Sequence, residues 1–192
     1  VDVRDFGAIG NGVADDRAAF VAANAAAGGG QLLVPEGTYY IGADLSLSVP
    51  ARFVGVLKMP RSARLALTGK FDFGTYASAF GSETEGMKRA LQALFGFTDH
   101  ALLDLGGRCV HLTEPLKVAD YAPNLTSFGN RRVIANGQIT ITPGPAWDTR
   151  AVSATATYNP NNPGVLTTPV VEEGDTPQAL FSLLAEYPLY AI

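Results

Sequence analysis

The chain has 192 residues, of which 17% are charged and 47% hydrophobic, and its formal net charge is -4. Such a composition excludes a disordered chain, and the absence of a Lys/Arg run argues against nucleic acid as a partner, because neutralising phosphates needs a basic surface. The single cysteine, Cys109, excludes an internal disulfide, and no run approaches the ~18 apolar residues of a membrane span, so no membrane insertion is expected.

In chain order, Val1, Val3 and Phe6 predict a short alternating strand that leads into a Gly-rich turn over Gly7–Gly12. A helix is predicted from about Asp15 to Ala27, with Asp15 and Asp16 placed to accept orphan N–H groups at its start. Its alanines are strong helix formers, and Phe20 and Val21 supply the larger part of the expected buried face. Gly28-Gly29-Gly30 stops the helix. Leu32-Leu33-Val34-Pro35 restarts the chain as a strand, Gly37 turns it, and Thr38-Tyr39-Tyr40-Ile41 continues as another. Pro35 lacks a ladder donor and belongs at a strand end.

The order Asp5-Phe6-Gly7-Ala8, Gly10, Gly12, Asp15-Asp16, Ala19, Gly28–Gly30, Leu33, Pro35, Gly37, Tyr39, Ile41 resembles the opening segment of right-handed parallel β-helix proteins of the pectate-lyase-like superfamily, phage tailspikes among them. Asn11 stands where many relatives have Asp between the two glycines. The resemblance covers residues 1–42 of the chain. It implies that this stretch closes the first end of a β-helix and that catalysis, where relatives have it, lies on later coils. The chain starts directly in this motif without Met, so further sequence is expected upstream.

Beyond residue 42, Leu45, Leu47 and Val49 alternate with Asp44, Ser46 and Ser48, the period of a half-buried strand. Phe53–Leu57 reads as one apolar strand between Pro50 and Pro60, and Leu65-Ala66-Leu67 as another. The aromatics Phe71, Phe73, Tyr76 and Phe80 fit a core stack, an apolar lateral surface or a sugar platform. Ser82 and Glu85 then form a capping box before Met87, Ala90, Leu91, Leu94 and Phe95, which predicts a helix over Thr84–Phe95. Ala101–His111 parallels Gln31–Ile41 in its Leu-Leu strand, Gly turn and second strand, which suggests a duplicated helix-plus-coil unit; chance similarity of Gly-separated strands is the alternative. Val133–Ala135 and Gln138–Ile141 predict strands across the turn pair Asn136-Gly137. The chain thus divides into residues 1–80 (a cap and first coils), 81–143 (a second helix-plus-coil unit) and 144–192 (a Pro-rich arm). Ala146–Asp175 reads as extended, with a short helix over Pro177–Tyr187 and an apolar end, Leu189–Ile192, suited to a neighbouring subunit.

For chemistry, glycan hydrolysis needs two facing carboxylates, and lyase chemistry needs a base with charge stabilisation beside it. Asp15-Asp16 reads as helix capping, Asp2 and Asp5 as solvated or turn-forming, and Glu83 and Glu85 as a helix start. Asp104 and Glu114 are the acids near the second strand pair and the functional candidates. His100 and His111 lack companions at zinc-ligand spacing, no G-x-S-x-G or P-loop pattern occurs, and Gly7–Gly12 reads as a structural turn. Cys109, in the alternating run Arg108–Leu112, reads as a small buried hydrophobe. Trp147 and Tyr158 fit sugar stacking or anchoring of the arm. Catalytic and substrate-binding residues stay unassigned, and no cofactor and no metal are expected.

The expected fold is therefore all-β, a right-handed parallel β-helix (solenoid) with a short N-terminal capping helix, a second such unit and an extended C-terminal arm. The resemblance implies a structural or adhesive component of a phage tail spike or tail fibre, virion-borne and extracellular. Its expected partners are further copies in a trimer, other tail proteins and bacterial surface polysaccharide. The alternative is a polysaccharide lyase, hydrolase or epimerase of the same superfamily.

Overall fold

The computed structural model describes residues 1–96, 100–116, 120, 131–147, 157–158, 161 and 166–167. Two compact units divide the chain, Val1–Trp147 and Asp148–Ile192. The predicted helix over Pro177–Tyr187, the apolar end Leu189–Ile192 and most of the predicted arm lie outside the described residues.

The first unit opens on a 3₁₀ turn, Val3–Phe6, rather than the predicted strand. Asp2 is the cause: its Oδ1 accepts the Arg4 N–H at 2.8 Å and bends the chain. Gly7, at φ 94°, closes the turn by donating to the Arg4 carbonyl at 3.0 Å. Only an isolated parallel bridge from Asp2 to Leu33 keeps any sheet character here. Part of the predicted Gly turn is in fact strand, β1 (Asn11–Asp15). Helix α1 (Arg17–Ala26) follows and buries Ala19, Phe20 and Ala23, while Val21 is 44% exposed, against expectation. Phe20 packs edge-on against Tyr39, with ring centroids 5.5 Å apart.

Six short strands come next: β2 (Leu32–Val34), β3 (Thr38–Tyr40), β4 (Leu45–Leu47), β5 (Ala51–Phe53), β6 (Val56–Lys58) and β7 (Leu65–Leu67). They pair in parallel as β2 with β5, β1 with β3 and β3 with β6, and β4 with β7. Leu32, Val34, Tyr39, Leu45, Leu47, Leu57, Leu65 and Leu67 all point inward and are buried. The predicted strand Phe53–Leu57 is two strands, broken at Val54-Gly55. Both N–H groups of that pair donate to the Val34 carbonyl, at 2.9 and 3.2 Å. A Cβ on Gly55 would lie 2.3 Å from the Pro35 carbonyl oxygen, so only glycine lets the chain turn so close to the strand below.

Most of the aromatic stretch is a helix, α2 (Phe73–Phe80). Asp72 caps it, accepting from the Thr75 N–H and the Thr75 hydroxyl, both at 3.0 Å. Gly81, at φ 63°, ends it. Phe73 and Tyr76 are fully buried, which settles the open reading of these aromatics as core. Helix α3 (Glu83–Gly96) follows, within a residue of its predicted bounds, and the Ser82 hydroxyl accepts the Glu85 N–H at 3.2 Å as the capping box requires. Every residue from Gly86 to Leu94 is buried, so this helix is enclosed on all sides rather than laid over an edge. Beyond it, β8 (Leu102–Asp104) pairs in parallel with β10 (Val133–Ala135), and β9 (Cys109–Leu112) with β11 (Gln138–Ile141). Asn136, at φ 60°, makes the predicted turn between β10 and β11. A 3₁₀ turn, Pro145–Trp147, follows. In the second unit, β12 (Thr157–Tyr158) and β13 (Leu166–Thr167) form an antiparallel pair inside the segment expected to be extended.

The fold class therefore differs from expectation. Among the described residues it is mixed α/β, with three α-helices and a set of separate two- and three-stranded, mostly parallel sheets, not the all-β right-handed parallel β-helix. The physical reason lies in the core. Phe20, Phe73, Tyr76, Met87 and Leu94 come from helices and are buried in one cluster with the strand leucines. Each such side chain contributes about 1.5–3 kcal/mol on burial, so the helices are integral to the core and not covers on a β framework.

Tyr76 gives this core a pH dependence. Its hydroxyl donates to the Leu65 carbonyl at 2.8 Å, and burial pushes the phenol well above its ordinary value. A raised folded-state value means that the unfolded chain releases this proton first. The stability from protonated Tyr76 is thus complete below about pH 10 and is lost as pH rises further. Urea midpoints should fall above that pH in the wild type and fall less steeply in Tyr76→Phe, which itself loses about 1 kcal/mol at neutral pH.

Candidate functional site

Among the described residues, the outward face of β9 and β11 brings together a cysteine, a histidine and a threonine. Strand alternation puts Val110 and Leu112 in the core and turns Cys109 and His111 outward on one face. Cys109 is exposed, which corrects the expectation of a buried hydrophobe. Its Sγ lies 4.0 Å from His111 Nε2 and 3.7 Å from the Thr140 hydroxyl. Thr140 is the register partner of His111 on β11 and also donates to the Val110 carbonyl at 3.4 Å.

The first turn of α3 supplies a fourth member. Glu83 Oε2 accepts the backbone N–H of His111 at 2.7 Å and lies 3.4 Å from His111 Nδ1. The carboxylate thus grips both the strand and the ring. Because it faces Nδ1, the proton of a neutral imidazole belongs there, which leaves the Nε2 lone pair toward Cys109. Nothing in the sequence joins Glu83 to His111, since 28 residues separate them. The alternation of β9 was legible and puts Cys109 and His111 on one side; the helix that carries Glu83 to them was placed only by packing.

The two acids expected as functional candidates are held in separate contacts. Asp104 Oδ1 accepts the Gly106 N–H at 2.8 Å and the Asn136 amide at 3.2 Å. These bonds, the backbone one first, hold its carboxyl below the usual range. That fits a turn-former and opposes a general acid, which needs a raised value. Glu114 is ion-paired with Lys88 of α3. Asp104 and Glu114 are therefore held by separate partners and do not make the facing pair that glycan hydrolysis needs.

Other expected residues have structural places. Asp16 makes no capping bond to α1; its carboxylate is buried and accepts the N–H groups of Ile9 and Gly10, at 2.6 and 3.1 Å. The Gly-rich turn is thus filled by a carboxylate of the chain itself. Asp15 does serve the helix start, accepting the Arg17 N–H at 3.0 Å. His100 stacks on Phe71, with centroids 5.3 Å apart. Trp147 is packed against the core, which favours anchoring over sugar stacking. Among the described residues no group of three or more His, Cys, Asp or Glu side chains is gathered to hold a metal ion, and no helix is long and apolar enough to cross a membrane. No family model, curated protein or solved structure matches the chain.

Proposed function

We propose that this chain is a structural and adhesive component of a phage tail spike or tail fibre, supporting recognition of bacterial surface glycan. The observation that carries this reading is the last described level of parallel strands. Ile134, Ile139 and Ile141 are in register with Leu103, Val110 and Leu112, all buried. Yet the three isoleucines are themselves 39%, 45% and 56% exposed. Inward-pointing apolar residues that the described residues leave open at the end of parallel strand pairs call for more protein against them. In this reading further copies of the chain supply it, as a trimer, alongside other tail proteins. The resemblance of the opening segment to tailspikes, with the glycan-binding role and the virion location that it implies, supports the same assignment. The separate engagement of Asp104 and Glu114 favours it over the polysaccharide-degrading alternative.

Light scattering after size exclusion tests the assembly. The expected mass is about three times that of the chain, and Ile139→Asp with Ile141→Asp should lower it. A monomer that stays monomeric at high concentration overturns this part of the reading. Incubation with capsular polysaccharide and lipopolysaccharide tests the rest. Retention of glycan with no new reducing ends or unsaturated uronates is expected, whereas turnover lost in Asp104→Asn or Glu114→Gln would establish the enzyme instead.

A further inference from the structure

We infer that Cys109, His111 and Glu83 form a nucleophilic thiol site that exchanges with disulfides. The ordering is that of an activated nucleophile. The thiol is 4.0 Å from Nε2 of the imidazole, and the carboxylate is 3.4 Å from Nδ1 of the same ring. A thiol beside a base, with the base oriented by a third group, is the arrangement that makes a nucleophile out of a weakly acidic side chain. Unbound sites commonly hold such contacts loosely, and the 4.0 Å separation here would have to close when a substrate binds.

The placement is rigid where it has to be and open where access is needed. Cys109 and His111 are both on β9, whose alternate residues Val110 and Leu112 are locked in the core. Glu83 is fixed to the same strand by the backbone bond from His111 and stands at the start of an enclosed helix. Cys109 itself is exposed. Acyl transfer would further demand donors aimed at an oxyanion. Thiol–disulfide exchange demands a thiolate and access to it, and these are what the face provides. The substrate class is therefore a disulfide, either of low molecular weight or on a partner's surface.

The step balances as follows. Nε2 of His111 takes the S–H proton, and the Cys109 sulfur attacks one sulfur of the disulfide. A new S–S bond forms to Cys109 as the old one breaks. The Cys109 sulfur is oxidised, the departing sulfur is reduced, and it leaves as a thiolate that the imidazolium can protonate. His111 is the base, and Glu83 is a positioning residue that acts through the ring.

Cys109 is the chain's only cysteine, so a chromogenic aromatic disulfide reports on this site alone. At pH 7 the folded chain should react at least about tenfold faster than the same chain unfolded in urea, and His111→Ala and His111→Gln should each lose about tenfold or more of that rate. A folded rate no higher than the unfolded one overturns the proposal, as does a loss under about threefold in both His111 variants while they remain folded. Glu83 has a separate readout. Nitrogen shifts of the His111 ring should report the Nδ1–H tautomer in the wild type and the Nε2–H tautomer in Glu83→Ala, with a slower exchange rate. An Nε2–H ring in the wild type would remove Glu83 from the assignment.

Discussion

Arg89→Met should destabilise the first unit by about 3–5 kcal/mol, far more than an exposed helix arginine would. Arg89 lies on α3 with a side chain only 7% exposed. Its Nη1 donates to the carbonyls of Pro60 and Ala63, at 2.9 and 3.0 Å, and its Nη2 to that of Met59, at 3.0 Å. The guanidinium therefore organises the whole connection between β6 and β7, with Gln92 adding a bond to the Arg61 carbonyl at 2.9 Å. The Phe80 ring lies beneath it, 5.3 Å from the guanidinium carbon. Methionine keeps much of the volume but takes the donors from the Met59 and Ala63 carbonyls, each at about 1–3 kcal/mol, while the Pro60 carbonyl keeps the Ala63 N–H at 3.1 Å. The Glu85 ion pair is the lesser contribution, although it is the one a helical i,i+4 spacing suggests. Glu85 is 37% exposed, so Glu85→Gln should lose under about 1 kcal/mol. Urea unfolding of both variants, with unchanged slope, separates the two. Equal losses would mean that the pair, and not the carbonyl cluster, holds this helix.

Local chemistry was legible in the sequence where short-range rules decide it. The Ser82 cap of α3, the Asn136 turn and the alternation of Leu45, Leu47 and Val49 follow from residues within a few positions of one another, and the structure keeps all three. The fold class was not legible, because short apolar runs bounded by Gly and Pro carry strand signals, whereas the helical share of the core is set by packing. Phe71–Phe80 reads in the sequence as an aromatic-rich stretch of a core stack, a lateral surface or a sugar platform, yet Asp72 and Gly81 bracket a helix of eight residues. In retrospect the signal was there: Asp72 stands three residues before Thr75, and Phe73, Tyr76 and Phe80 recur at helical spacing. Val54-Gly55 failed for a different reason. An apolar run with one glycine reads as a strand until the Pro35 carbonyl is known to lie against it. The thiol face was half legible, since strand alternation pairs Cys109 with His111. Solvent exposure of the cysteine and the approach of Glu83 are properties of packing, which no local pattern contains.

Gly86→Ala should destabilise the fold by about 1–3 kcal/mol, although helix propensity alone argues the opposite. Gly86 is in α3, and alanine is favoured over glycine in a helix interior by about 1 kcal/mol. Against that stands the neighbour. A Cβ on Gly86 would lie 2.8 Å from both the Cα and the N of Ala77 in α2, and 3.0 Å from the Tyr76 carbonyl carbon. These are backbone atoms, so no rotamer change relieves the overlap, and the two helices must move apart. Separation would draw Tyr76, fully buried and bonded to Leu65, out of its place, and Met87 beside it. The steric term therefore exceeds the propensity gain. Gly86→Val, with a bulkier and branched side chain, should lose more again. Thermal unfolding of Gly86→Ala, Gly86→Val and Ala77→Gly gives the test. The first two should lower the midpoint in that order. Pairing Gly86→Ala with Ala77→Gly should recover little, because the clash is with backbone that Ala77→Gly does not remove. A rise in midpoint for Gly86→Ala would show that α2 and α3 are farther apart than the contact requires, with propensity deciding the sign.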